Sequence, residues 1–237
     1  MPTYGYEEYL RIVRPLPEQV RRDIYDIPVI ENNPIDISEL KNGISLINLN
    51  NISINDCRAS QKIVHCFSND DVLRRKYNHP MQFLHQVSQY LAVATFDFSM
   101  TPGMKFPQML NAIHANRWSG AFLQCHGKKV LATVGWTTPE FYDLCFAGLT
   151  NGAVMLISTL STHNASCEKI FIDGYRELRR RFPDSSLICV GDRFADMDSD
   201  VCFIPYEETF GNRDRYQNWW QPSLINWDMS LAAGGEK

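Results

Sequence analysis

A strand–helix–strand pattern is clearest in residues 153–191, which are AVMLISTLSTHNASCEKIFIDGYRELRRRFPDSSLICVG. The runs AVMLIST and SLICVG are short, almost wholly apolar and bounded by polar residues, which is typical of strands buried on both faces of a parallel sheet. Between the two runs, Phe171, Tyr175 and Leu178 recur at helical spacing and therefore lie on one face of a helix. The stretch predicts a βαβ unit whose two strands are parallel.

The same alternation extends along the chain in both directions. Further runs of strand length are IVHCF at 63–67, LAVATFDF at 91–98, VLATVGW at 130–136 and VCFIPY at 201–206. Helical stretches separate them, and the first of these is interrupted at Pro80. The pattern predicts an α/β fold with a parallel or mixed sheet of about six strands and flanking helices. An open doubly wound sheet is favoured, and a barrel-like (β/α) fold is the alternative if the N-terminal region supplies more strands.

Three regions differ in composition. Residues 1–60 are rich in Asn and Pro and predict an irregular N-terminal arm with one edge strand near residues 46–49. Residues 61–209 form the predicted α/β domain, and residues 210–237 form a C-terminal tail. The tail contains the tryptophans Trp219, Trp220 and Trp227. Basic and aromatic residues alternate there, so the tail is a candidate contact surface.

Composition excludes several classes of protein. The 237 residues include 23 Lys and Arg against 27 Asp and Glu, a net charge of −4, which argues against a broadly basic nucleic-acid-binding protein. No apolar run approaches the roughly 18 residues needed to cross a bilayer, and the first residues lack a secretory h-region. The seven scattered cysteines form no C-x-x-C pair and indicate reduced thiols. We therefore expect a cytoplasmic protein.

Motifs for metals, nucleotides and nucleophiles give no positive prediction. The sequence has no phosphate-binding glycine motif after a strand and no nucleophile elbow. Asp196, Asp198 and Asp200 have the spacing of a calcium loop, but Val201 stands where that loop needs glycine. We interpret these residues as a solvated acidic turn and predict no metal ligands. The cofactor, if one exists, is left unknown.

Ligands of parallel α/β proteins bind at the carboxyl ends of the strands, which locates the candidate site. Asp97 lies there between two phenylalanines, at the end of the apolar run LAVATFDF. A carboxylate in such surroundings is unfavourable unless it is paired, hydrogen-bonded or protonated. Asp97 is therefore a candidate general base, with an ion pair to Arg117 as the structural alternative. Asp192 follows a later strand and is the second candidate catalytic residue.

Five further residues are candidates for binding a ligand. In this hypothesis Arg117 contacts an anionic group, Trp136 stacks on a planar one, and hydroxyls and carboxylates orient polar atoms. Two structural alternatives remain open, namely that Asp70 caps a helix and that Trp136 closes the core. The predicted ligand-binding residues are Asp70, Arg117, Trp136, Ser158 and Thr159.

Several segments together resemble a known family. They are HCFSNDDVLRRKYNHP at 65–80, TFDFSMTPGMKFPQ at 95–108, the pattern N-x-x-x-x-NRW-x-GAF-x-Q-x-x-G at 111–127, and CFAGL-x-x-GAV-x-x-IST at 145–159. In these segments the chain resembles an uncharacterised "domain of unknown function" family carried by bacteriophages, plasmids and other bacterial mobile elements, over roughly residues 27–206. The departures are an Asn at 69 in place of an acid and a Met at 100 in place of an aromatic residue.

This resemblance implies a phage- or plasmid-encoded protein in the cytoplasm of a bacterial host, and it implies no particular chemistry. Genes of this kind often serve host takeover or evasion of host defence. Two hypotheses therefore stay open, and whether the protein is an enzyme stays open with them. In the first, the protein binds or hydrolyses a small polar ligand, such as a nucleotide-derived one. In the second, it is a non-enzymatic protein that binds a host protein or, less favoured by its charge, nucleic acid through the arm and the tail.

Overall fold

Seven parallel strands form a single sheet in the structure, a computed structural model that describes residues 5–40, 42–162 and 164–210. The strands lie in the order in which they occur along the chain, and every neighbouring pair is parallel. They are β1 (Ser45–Asn48), β2 (Lys62–His65), β3 (Ala92–Ala94), β4 (Val130–Thr133), β5 (Val154–Ser158), β6 (Ser186–Val190) and β7 (Cys202–Ile204).

Helices connect most of the strands. In the described part of the chain they are α1 (Tyr6–Val13), α2 (Asp70–Asn78), α3 (Pro80–Val87), α4 (Phe106–Cys125), α5 (Tyr142–Cys145) and α6 (Ala165–Arg181). The break between α2 and α3 falls at His79, directly before the proline that predicted it. The strand expected in the N-terminal arm is present as β1, which pairs with β2 at the edge of the sheet.

The sheet curves into a nearly closed barrel. A doubly wound sheet reverses its strand order at a switch point, whereas this sheet keeps one order from β1 to β7. A 3₁₀ turn at Tyr206–Phe210 follows β7 and packs against β1, where Asn48 donates from Nδ2 to the Tyr206 hydroxyl at 3.3 Å. The predicted α/β class is confirmed, and its barrel-like alternative describes the sheet better than the open one.

Side chains alternate between the inside of this barrel and the helices outside it. The inward cluster contains buried residues from every strand. It includes Leu46, Ile63, Ala92, Leu131, Leu156, Ile188 and Ile204. Outward residues such as Val64 and Met155 pack instead in two clusters that include helix residues. The interior is thus a packed core, as in other (β/α) barrels, and a ligand must bind at the rim.

Several expectations concern residues outside the described ranges. The tail from residue 211 onward, with its three tryptophans, lies outside the described residues. All seven cysteines lie inside them and are free thiols, as predicted. No helix in the described ranges combines the length and the apolar character that a transmembrane span requires.

His65 places an imidazole ring in the interior of the barrel. His65 is fully buried, and both of its ring nitrogens are without a hydrogen-bond partner. Its ring centroid lies 5.3 Å from that of Phe67 and 6.2 Å from that of Tyr206. Burial lowers the pKa of His65 to about 3, so the imidazole is neutral in the folded protein at every ordinary pH.

Replacing His65 with leucine is expected to stabilise the protein by about 1–2 kcal/mol, because an unsatisfied buried polar group is exchanged for an apolar one of similar size. The native imidazole stays neutral while the unfolded one binds a proton, so His65 lowers stability progressively as the pH falls below 6.5. Urea unfolding from pH 7.5 to pH 4.5 should show a larger gain for His65→Leu at the acid end. The exposed His85→Leu is the control, and a loss of stability in His65→Leu would contradict the prediction.

Candidate functional site

A cavity of about 470 Å³ opens at the carboxyl ends of the strands, a volume usual for small-molecule sites. Segments that follow β2, β3, β4 and β5 form its walls, together with the first turns of α6. The aromatic residues of the lining are Phe67, Trp136, Phe171 and Tyr206. The exposed or half-buried hydroxyls of the lining belong to Ser68, Ser99, Thr101, Ser158, Ser161 and Thr162.

Asp97 supplies a carboxyl group to this cavity. It lies just beyond the end of β3, and α4 holds the backbone on both sides of it. Asn116 Oδ1 accepts the Phe98 N–H at 2.8 Å, and Ser119 Oγ accepts the Phe96 N–H at 3.0 Å. Two buried polar side chains of one helix thus fix the segment that carries the acid, which is the kind of support a functional group needs.

The ionisation of Asp97 is strongly perturbed. Burial raises the pKa of Asp97 to about 7; the nearby Asp70 carboxylate adds to the rise and Arg117 opposes it. In the described part of the chain, no hydrogen bond or ion pair engages the carboxyl group, which is half-buried and faces the cavity. Near neutral pH both the protonated and the ionised forms are populated, which is what a general acid or base requires.

This ionisation predicts an unusual pH dependence of stability. The unfolded Asp97 loses its proton near pH 4 and the folded one near pH 7, so this residue makes folding less favourable as the pH rises from 4 to 7. A rise of about three pKa units corresponds to about 4 kcal/mol, and solvent in the cavity screens part of it because Asp97 is half-buried. Asp97→Asn should therefore be more stable than the wild type by roughly 1–3 kcal/mol at pH 8, with little gain at pH 4. Urea unfolding at pH 4, 6 and 8 measures the difference. A gain that is independent of pH would contradict the assignment.

Asp70 contributes indirectly, through the loop that follows β3. Its Oδ1 accepts from the Ser99 N–H at 3.1 Å and from the Ser99 hydroxyl at 3.0 Å. Ser99 lines the cavity, whereas Asp70 lies behind it. The helix cap is Asn69 and not Asp70, which corrects the structural alternative that we gave for Asp70.

Trp136 lines the cavity and also closes the core. Its indole N–H donates to the Phe171 carbonyl at 3.1 Å, and its ring packs closely over Gly174 in α6. A Cβ at position 174 would lie 2.1 Å from Trp136 Cδ1, so the close approach requires glycine. The ring is therefore held in place, and its N–H is already bonded within the protein.

Arg117 lies in the core and not in the lining. The fully buried guanidinium donates to the carbonyls of Thr133, Cys145 and Ala147 at 2.9–3.1 Å. These bonds tie β4 to the end of α5 and satisfy carbonyls that a helix terminus leaves free. They give Arg117 a structural role, and contact with an anionic ligand stays a prediction that this placement does not favour.

The hydroxyls that follow β5 differ in their access to the cavity. Ser158 lines it, while its Oγ donates to the Val190 carbonyl at 3.1 Å. Thr159 is buried outside the lining and donates to the backbone carbonyl of Asp192 at 3.0 Å. The Asp192 side chain is exposed and also lies outside the lining. The structure therefore brings together Asp97, Trp136 and Ser158, and the roles assigned to Thr159 and Asp192 stay predictions.

Supporting residues in α4 escaped the sequence analysis. The run Asn116–Gly120 is buried at every position, and apart from Arg117 no function was predicted for it. Trp118 donates from Nε1 to the Arg14 carbonyl at 2.7 Å, and a Cβ on Gly120 would lie 2.5 Å from Thr95 Cγ2. Asn and Ser next to Arg in the middle of an otherwise apolar helix are a signal of internal hydrogen bonding. α6 likewise adds Cys167, Ile170 and Phe171 to the lining.

The aspartates of the acidic turn form ion pairs with arginines of α6. Arg179 of α6 pairs with Asp198 and Asp200, and Arg176 pairs with Asp196 at 3.5 Å. In residues 5–40, 42–162 and 164–210, no group of three His, Cys, Asp or Glu side chains is arranged to hold a metal ion. The turn is thus a set of surface ion pairs.

A family assignment comes from comparison with known sequences. The sequence profile described as "Domain of unknown function (DUF4417)" matches residues 21–207. The chain belongs to this family. The chain is also similar to two phage proteins, each called "Gene 1 protein", from Mycobacterium phages L5 and D29.

The two phage relatives are distant from this chain. The L5 protein is 29% identical over 153 residues, which are 64% of this chain and 67% of the relative. The D29 protein is 30% identical over 156 residues, which are 65% of this chain but only 57% of the relative. No solved structure matches this DUF4417 chain significantly. The resemblance to a phage-carried domain of unknown function is confirmed.

Proposed function

We propose that this protein binds a small polar ligand in the cavity at the carboxyl ends of its strands, with Asp97 as the group that exchanges a proton with it. If the protein is an enzyme, the reaction that suits this arrangement is hydrolysis, with Asp97 activating water. The observation that carries the proposal is the Asp97 carboxyl itself. It lines a cavity of ligand size, has no partner in the described residues, and titrates near pH 7.

The effect of Asp97 on folding stability supports a functional role for this residue. A desolvated carboxyl without a partner destabilises the folded protein at neutral pH, whereas asparagine would occupy the position without that penalty. Two side chains of α4 nevertheless hold its backbone in place. Polar groups that reduce stability and are rigidly supported are typical of binding and catalytic sites.

The cellular setting forms part of the proposal. The phage relatives and the free thiols support a protein that works in the cytosol of an infected bacterium. A role in host takeover or in evasion of host defence is consistent with that setting, and the ligand would then be a host or phage metabolite.

Native mass spectrometry of the protein purified from bacterial cells tests the proposal. We expect a small molecule to be released from the wild-type protein on mild unfolding and to be absent or at least tenfold depleted in Asp97→Asn. Asp71→Asn removes the same charge from an exposed position one residue beyond Asp70 and should keep the ligand. Equal occupancy in wild type and Asp97→Asn, or a small molecule in neither, would contradict the proposal.

The interaction hypothesis has one feature in its favour. Helix α1, in the predicted arm, exposes four large apolar side chains, namely Tyr6, Tyr9, Ile12 and Val13. Such a surface is typical of protein contacts. If the purified protein carries no small molecule but retains a macromolecular partner that is lost on substituting Tyr9 and Ile12 with serine, this second hypothesis replaces the first.

A further inference from the structure

The ligand's chemical class can be inferred from the cavity, and this step rests on the proposed function. The cavity wall near the end of β3 is acidic. The Asp97 carboxyl lies in the lining, and the Asp70 carboxylate lies behind Ser99, close enough to act electrostatically on Asp97. A ligand phosphate in this region would meet two carboxylates, whereas an N–H donor or a cationic group would be attracted.

Asp97 lines the cavity beside a residue that has no side chain. The neighbouring wall residue is Gly135, and a Cβ at that position would lie 3.6 Å from Asp97 Oδ1 and 3.1 Å from Met100 Cε. The methyl group of Met100 therefore packs in front of Gly135, and a side chain at position 135 would have to displace it. A planar group in the cavity can place its N–H donors against the Asp97 carboxyl oxygens.

The cavity walls suit a flat ring. Trp136 and Phe171 line one side and pack against each other at a centroid distance of 5.1 Å, while Phe67 and Tyr206 belong to the same lining. Aromatic side chains bind heterocycles by stacking. The half-buried hydroxyl of Thr162 in the same lining can bond a polar substituent of the ligand, whereas Ser158 Oγ already donates to the Val190 carbonyl and accepts from the Leu160 N–H.

We infer that the cavity takes a planar nitrogen heterocycle without a phosphate group, a nucleoside, whose N–H edge pairs with Asp97 while aromatic residues pack on its faces. A carboxylate can recognise such an edge because it accepts hydrogen bonds from exocyclic and ring N–H groups. Arg117 is buried on backbone carbonyls and so does not reach a ligand anion here. The sequence suggests a nucleotide-derived ligand, and the cavity narrows this class to ligands without a phosphate group.

Calorimetric titration of the full chain tests this inference. The probes are adenosine, guanosine, cytidine and uridine and the 5′-monophosphate of each. At least one nucleoside should bind, and its monophosphate should bind at least about tenfold more weakly. Asp97→Asn should weaken the nucleoside about tenfold or more, Gly135→Ala should weaken it by displacing Met100 in the cavity wall, and Asp71→Asn should bind it as the wild type does.

Two results would overturn the inference. One is a monophosphate that binds as tightly as its nucleoside; the other is the failure of all four nucleosides to bind. The proposed function survives either result if mass spectrometry still finds a small molecule whose retention depends on Asp97. It fails with the inference only if that molecule is also missing. Unfolding curves of each variant confirm that the proteins compared are folded.

Discussion

Replacing Arg117 with methionine is expected to destabilise the protein by about 3–5 kcal/mol, the largest effect of any side chain discussed above. The guanidinium is buried and donates to three backbone carbonyls from β4 and from the end of α5. Methionine fills similar space but leaves these carbonyls without donors, and each unsatisfied buried group costs about 1–3 kcal/mol. Lysine restores the charge but not the planar set of donors, so Arg117→Lys should recover only part of the loss.

Urea unfolding with circular dichroism measures this effect, and a matched control exists. Arg75 in α2 is exposed, so Arg75→Met should change stability by less than about 0.5 kcal/mol. If Arg117→Met were as stable as Arg75→Met, the three bonds to carbonyls would contribute nothing and the structural role of Arg117 would be wrong. Arg117 would then be available again as a ligand contact.

Gly174→Ala is expected to produce the second large effect, a loss of about 1–3 kcal/mol despite the better helix propensity of alanine. The new methyl group would lie 2.1 Å from Trp136 Cδ1 and 2.3 Å from its Nε1, so the indole has to move. Its N–H bond to the Phe171 carbonyl is lost with that movement, and the wall of the cavity changes shape. Ligand retention should fall together with stability.

A second substitution separates this clash from other effects of alanine. In Gly174→Ala with Trp136→Leu, the side chain that clashes is gone, so adding alanine should cost much less than it does in the presence of Trp136. The coupling between the two positions should exceed about 1 kcal/mol in a double-mutant cycle measured by urea unfolding. Additive effects would show that Trp136 does not pack on Gly174.

His65 and Asp97 change the stability of the folded protein in opposite directions as the pH changes. His65 makes folding less favourable as the pH falls below 6.5, and Asp97 makes it less favourable as the pH rises above about 4. Between these values the two effects partly cancel. A flat stability profile of the wild type therefore says little, and the single variants His65→Leu and Asp97→Asn are needed to reveal each group.

The strands were predictable from local sequence, but their arrangement was not. Runs such as VLATVGW and SLICVG are apolar along their length, and β4 and β6 occur inside them. The order of the strands depends on contacts between distant segments, so an open sheet and a barrel give the same local pattern. The unbroken strand order from β1 to β7 and the contact of the turn after β7 with β1 distinguish them.

The site was predictable where the backbone alone determines position. Residues after parallel strands meet at one rim, and Asp97, Trp136 and Ser158, which this rule selected, line the cavity, while their roles stay predictions. It could not tell which way a side chain turns: the Thr159 hydroxyl donates to the backbone carbonyl of Asp192, and Thr159 is not part of the cavity lining. The surroundings of Arg117 depend on how α4 packs, and no local pattern in the sequence encodes them.

Titration of the Asp97 carboxyl by NMR, through its ¹³C chemical shift, tests the central claim most directly. A desolvated, unpartnered carboxyl in the cavity predicts a midpoint near pH 7, and this signal should be missing from the spectrum of Asp97→Asn. Bound nucleoside should shift the midpoint. A midpoint near the ordinary value of about 4 would mean that Asp97 is hydrated or paired, and it would contradict both the site and the function proposed for it.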